Sequence, residues 1–204
     1  MTTQNLEQSY SGRLERCLVN LATRLQAHLE SHLQGVKRID RVTCRAKAVG
    51  SFLSKAARLV ENGTRKYGDP IEDIQDQIGA RIVVYFSSDI EMVVDKVRSF
   101  YSAIEERRVI SDSPKEFGYE GRHFVLFVPV DVFADNMASA DRPTVFELQV
   151  KTLFQHAWAE AEHDLGYKPD SDLEAHDKRL LAFTAAQSWG ADRIFQELHE
   201  GRSN

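Results

Sequence analysis

Cysteine is scarce: Cys17 and Cys44 are the only two in 204 residues. Two isolated thiols build no disulfide framework and, with no second pair, no cysteine zinc site. They read as reduced, buried side chains of a cytoplasmic protein. Long apolar runs are missing as well, and no stretch reaches membrane-spanning length. Residues 1–16 lack the basic opening and apolar run of a signal peptide, so no membrane partner is expected. Nor is positive charge in excess. Lys and Arg number 26 against 31 Asp and Glu, a formal net charge of −5. That argues against coating nucleic acid by bulk charge, while leaving room for a local basic pocket. There is no internal repeat, no low-complexity tract and no composition shift. What is left is an ordinary globular composition, 42% hydrophobic and 28% charged, sufficient for one domain over 1–204 with a substantial core.

The periodicities divide that domain into an N-terminal helix (1–35), a central core (36–168) and a C-terminal helix and tail (169–204). Leu14, Cys17, Leu18, Leu21, Leu25, Leu29 and Leu33 recur every three or four residues and predict a helix over 6–33 with Gly35 as its stop. Its stripe serves the core or a subunit contact. Residues 36–47 look extended, and a helix is expected over 49–66, ended by Gly68 and Asp69-Pro70. IGARIVVYF (78–86) is apolar on both faces and reads as an inner strand. A helix over 89–104, a loop over 111–120, a strand over 122–129 and a mobile loop over 131–143 follow. The final amphipathic helix is expected over 173–198, with a frayed tail. The fold class is α+β, a mixed sheet flanked by helices.

Chemistry concentrates around Val145–Lys168. Phe146, Leu148 and Val150 alternate with Glu147, Gln149 and Lys151, the strand period that points Glu147 and Gln149 to one side. From Thr152 the pattern becomes helical. Leu153, Ala157, Trp158, Ala161 and Leu165 form an apolar stripe, and His156, Glu160 and His163 share another side. Taken singly, each of these residues reads as a half-exposed strand or a solvated helix face; partners elsewhere change that. Lys47, Ser51 and Lys55, at successive fourth positions, line one helix face, and two ammonium groups flanking a hydroxyl suit a polyphosphate. Alone, they would be a solvated basic face. Asp76, just before the inner strand, and Glu147 are two carboxylates able to hold Mg²⁺ with few protein ligands and several phosphate oxygens, and Arg81 follows as a stacking or phosphate group. Lys115, Gly118, Tyr119, Gly121 and His123 form a fourth group: close backbone approach, a flat ring for a base, and two cations for phosphate.

In that order, the four groups (Arg-x-Lys…Ser…Lys, Asp-x-x-Gly-x-Arg, Pro-Lys…Gly-Tyr…His and Glu-x-Gln…Thr…His…Trp…Glu-His…Tyr-Lys) resemble the synthetase domain of RelA/SpoT-type alarmone synthetases, over about 42–168. The resemblance implies a nucleotidyltransferase-like fold and pyrophosphate transfer from ATP to the ribose 3′ hydroxyl of GDP or GTP, with Mg²⁺ as cofactor. By the same resemblance, Arg45 and Arg81 would sandwich adenine, and Lys47, Ser51 and Lys55 would hold the ATP phosphates. Asp76 would bind the metal; Glu147 would share it or activate the acceptor hydroxyl. Tyr119 would stack on the acceptor base, with Arg108, Lys115, His123, Gln149 and His156 lining that side. The chain departs from the family where Val109-Ile110-Ser111 replaces a basic run and Glu120-Gly121-Arg122 precedes His123. Both changes fall on the acceptor side. His176-Asp177 lacks the further ligands of the long enzymes' hydrolase site and reads as surface. The tRNA 3′ end or an adenosine nucleotide as acceptor, a catalytically silent nucleotide-binding module, and homo-oligomerisation remain open alternatives.

Overall fold

Ile78–Val84 (β2) is rich in β-branched residues, and Ile78, Ile82, Val83 and Val84 are fully buried, as an inner strand requires. The architecture is that of a computed structural model describing residues 2–110, 116–118, 120–166 and 173–203. Five strands form a mixed sheet: β1 (Ile39–Ala46), β2, β3 (Ala103–Val109), β4 (Gly121–Phe127) and β5 (Val145–Thr152), in spatial order β1-β2-β5-β4-β3. Only β2 and β5 run parallel, with Gly79 opposite Glu147 and Arg81 opposite Gln149.

Residues paired across strands share a sheet face. The registers therefore put Arg45, Arg81, Glu147, Gln149, Lys151, His123 and Arg107 on one face. The other face carries Cys44, Ala80, Ile82, Leu148, Val150 and Phe124, and this is the core side. The N-terminal helix covers part of it. Helix α1 (Thr3–Arg13) continues through a π-helical turn, Leu14–Leu18, into α2 (Val19–His32), burying Leu21, Leu25 and Leu29. Gly35, at φ 84°, ends the run as expected. Helix α5 (Ser87–Phe100) covers the rest with Val93 and Val97.

Several expectations are corrected. The second helix, α3, is only Val49–Ala56 rather than 49–66. An Asn62-Gly63 turn wins over the continuing apolar period. Gly63 sits at φ 79°, the Asn62 side chain accepts from Thr64, and Leu59 bridges to Arg65. Helix α5 stops at Phe100 rather than 104, and Ala103–Val109, of which 103–104 were expected in that helix and 105–109 were unassigned, is the edge strand β3; six of its seven residues are exposed, so no alternation marked it. Residues 131–143 are tied down instead of hanging free: Arg13 Nε donates to the Asp141 carbonyl, Arg16 pairs with the Asp141 carboxylate, and Val132 and Met137 are buried. In α6 (Leu153–Gly166), Ala157, Ala161 and Leu165 are exposed and Ala159 is the buried position. After the short α4 (Pro70–Asp73), which the sequence reading did not include, the last helix is α7 (Ala175–Ser203), longer at its C-terminus than expected.

Candidate active site

The first wall comes from the junction of β1 and α3. Ser51, half-buried, and Lys55 stand four apart on α3, and Lys47 lies in the extended turn just before the helix. The second wall is the segment before β2. Asp69 caps α4 by accepting from Ile71 N, and Gln77 Nε2 then donates to the carbonyls of Ile71 and Ile74. That knot presents Asp76 to the first wall. The ammonium groups of Lys47 and Lys55 both lie 2.9 Å from Asp76 Oδ2. Asp76 Oδ1 is buried and has no hydrogen-bond partner.

Glu147, on β5, faces the same space. His123 Nδ1 and Gln149 Nε2 each donate to its Oε1 at 3.0 Å. Burial pushes the Glu147 carboxyl up, but the bonds from His123 and Gln149, and the charges of His123 and Lys55, outweigh burial and bring it down to about 2. It is therefore ionised throughout the neutral range. A cavity of about 260 Å³ is lined by Asp76, Glu147, Lys55, His123, Arg107 and Tyr67 among others. The two carboxylates thus share one space.

Next to this cavity on the same face stands a cationic group. Arg81 Nη1 lies 3.1 Å from His156 Nδ1 and also pairs with Glu160. Burial, then the Arg81 charge, lowers the His156 pKa, which leaves a neutral imidazole to accept from Arg81. Arg45, exposed on β1 opposite Gly79, is a diagonal neighbour of Arg81 across the strand pair. Gln149 Oε1 is buried without a hydrogen-bond partner, an acceptor held ready on the site face.

Arg108 lies elsewhere. It pairs with Arg122 on the opposite sheet face and lines a separate cavity with Glu91 and Asp192. Its neighbour Arg107, opposite His123, is the β3 arginine on the site face. Sequence reasoning missed Arg107 because an exposed edge strand offers no parity signal. It also passed over Lys151 as a site residue, although the alternation with Glu147 placed it in the same row. Lys151 is 2% exposed, and burial, with Arg81 nearby, pulls its ammonium down to about 7. Lys115 and Tyr119 lie outside the described residues. His176 and Asp177 are exposed on α7.

Among the described residues no three His, Cys, Asp or Glu side chains cluster to cage a metal, and no helix is long and apolar enough to cross a membrane. The orphaned Asp76 Oδ1 nevertheless fits Mg²⁺, which takes one or two carboxylates and completes its shell with waters and substrate phosphates.

The sequence and the fold of the chain match known proteins. Residues 44–172 match the family model described as the region found in RelA / SpoT proteins. GTP pyrophosphokinase YjbM of Bacillus subtilis (strain 168) is 32% identical over 170 residues, covering 80% of this chain and 72% of that protein. A GTP pyrophosphokinase family protein from Streptococcus pneumoniae superposes with a TM-score of 0.75 at 27% identity, covering 95% of this chain and 94% of that one. Small alarmone synthetase 1 from Bacillus subtilis, solved bound to its product pppGpp, gives 0.71 at 26% identity, covering 88% and 91%. The fold, the order of the motifs and the family match agree: the chain belongs to the RelA/SpoT family of pyrophosphate-transferring enzymes.

Proposed function

We propose that the protein transfers pyrophosphate from ATP to the ribose 3′ hydroxyl of GDP or GTP, making (p)ppGpp, with Mg²⁺ as cofactor. The observation that carries this reading is the single cavity shared by Asp76, bearing Lys55 and Lys47, and Glu147, bearing His123. Binding alone does not call for two carboxylates facing the same phosphates. A relative named GTP pyrophosphokinase and a structural neighbour carrying pppGpp support a guanosine acceptor.

In this reading Lys47 and Lys55 leave Asp76 for the donor phosphates, with Ser51 between them, while Arg45 and Arg81 bracket the adenine. Mg²⁺, held by Asp76 with Glu147 beside it, would neutralise charge developing on the phosphate oxygens. The acceptor oxygen forms a bond to the β-phosphorus, the bond from that phosphorus to the α,β-bridging oxygen breaks, and AMP leaves. Ionised Glu147 accepts the acceptor hydroxyl's hydrogen bond, orients it and takes up its proton as the bond to phosphorus forms, while most of the rate enhancement comes from positioning and electrostatics. Tyr119 stacks on the guanine, with Lys115, His123, Gln149 and His156 lining the acceptor side.

The test is incubation of the protein with labelled ATP and Mg²⁺ against GDP, GTP, ATP and tRNA separately, followed by product separation. Product with GDP or GTP is expected. Turnover of tRNA or ATP with no product from either guanosine nucleotide would overturn the reading.

A further inference from the structure

Helix α1 lies outside the segment that matches the family, yet it reaches both walls of the candidate site. Tyr10 is fully buried and its hydroxyl donates to the Lys47 carbonyl at 2.8 Å. Its ring stacks on Phe52 of α3, with centroids 3.7 Å apart and an interplanar angle of 2°. The Lys47 amide, in turn, donates to the Gln77 carbonyl, next to Asp76. The peptide groups flanking Lys47 are therefore held from both sides, by the Asp76 loop through the N–H and by α1 through the C=O. One turn on, buried Arg13 donates from Nη1 to the Ile71 carbonyl, the same oxygen that Gln77 Nε2 uses to shape the Asp76 loop. Burial, then the Asp76 charge, raises the Tyr10 phenol far above its ordinary value, so it is a neutral donor at any working pH.

We propose that Tyr10 is a positioning residue for the donor side: it fixes the Lys47 carbonyl and the start of α3 so that Lys47 and Lys55 converge on one point. The proposal rests on the ATP-donor reading above. A hydroxyl that only helped the helix pack would affect stability and leave the donor constants alone. A hydroxyl that sets the lysines acts on ATP and leaves the acceptor alone.

Tyr10→Phe keeps the stacked ring and removes only the bond to Lys47. Its KM for ATP should rise about three- to tenfold, the worth of one hydrogen bond, with the acceptor KM and kcat within about twofold of wild type. Phe52→Leu, which keeps the hydroxyl but loosens the stack, should shift the same constant in the same direction. Leu6→Ala, one turn earlier and buried on the same helix, should lower Tm at least as much while leaving the ATP constant unchanged. Binding of a non-hydrolysable ATP analogue with Mg²⁺ is measured first on wild-type protein. Failure to bind it would overturn the donor reading and this proposal together. Binding by wild type, with an unchanged ATP constant in Tyr10→Phe and Phe52→Leu, or with Leu6→Ala shifting it equally, would overturn the proposal alone.

Discussion

His123 Nδ1 stands 3.0 Å from Glu147 Oε1, a contact between neighbouring strands that decides the charge state of the site. Burial alone would raise the Glu147 carboxyl above its ordinary 4.5; the bonds from His123 and Gln149 take it to about 2. A carboxyl depressed in this way contributes stability that is full above pH 4.5 and is lost as pH falls towards 2. His123→Ala should let the Glu147 pKa climb. The acid limb of the pH–rate profile then moves upward, whatever the loss in rate. An acid limb identical to wild type would show that His123 does not hold the carboxylate ionised.

Asp76→Asn and Glu147→Gln keep shape and remove one negative charge each. Turnover should fall by at least about a hundredfold in each case, since the lost electrostatic stabilisation is on the order of several kcal/mol. Circular dichroism should stay unchanged. Near wild-type pyrophosphate transfer by either variant would remove that carboxylate from the reaction.

Lys47→Ala and Lys55→Ala each delete one charge-assisted contact to donor phosphate, worth roughly 1.5 to 3 kcal/mol. ATP use should weaken by the same factor whether GDP or GTP accepts. A factor that changes strongly with the acceptor would move the lysine to the other side of the cleft.

The two adjacent arginines of β3 should behave differently. Arg107→Ala, on the site face opposite His123, should raise the acceptor KM about tenfold, the loss expected for one charge-assisted contact. Arg108→Ala, on the far face, should leave it within about twofold. Kinetics in GDP on both variants read the parity of the strand directly, and the reverse order would shift the register by one residue.

Lys151 supplies a pH signature. Its ammonium titrates near 7 in the folded protein against an ordinary 10.5, so between those values the unfolded chain binds the extra proton. Stability from this group must rise with pH, by as much as about 1.4 kcal/mol per unit. Above pH 9 the half-buried Cys44 thiol, raised to about 12 by desolvation, pulls the other way, because the unfolded thiol ionises first. Urea midpoints between pH 7 and 9 should therefore climb in wild type more than in Lys151→Met, which should also be more stable than wild type at pH 7. Equal slopes would place the Lys151 ammonium in water.

Legibility followed burial. The β2 run showed because it is rich in buried β-branched residues, and Glu147 and Gln149 showed as a pair because β5 alternates cleanly. Of the Lys47, Ser51 and Lys55 triplet, Ser51 and Lys55 share α3 because both precede the Asn62-Gly63 turn, while Lys47 comes before the helix begins. Strand β3 was hidden: AIEERRV is nearly all exposed, so nothing in the chain told Arg107 from Arg108. The link from Tyr10 to Lys47 spans 37 positions and runs through a backbone carbonyl, which carries no side-chain signature at all.

The parallel pairing of β2 with β5 brings Gly79 beside Glu147, and with it Asp76 into the space Glu147 faces. Every intervening element, α5, β3 and β4 included, must be traversed before those strands meet. Closing so long a loop is slow compared with forming helices, so the two carboxylates come together late in folding. No fragment of the core shorter than the span from Asp76 to Glu147 holds both carboxylates, and the space they share exists only once β5 has docked on β2.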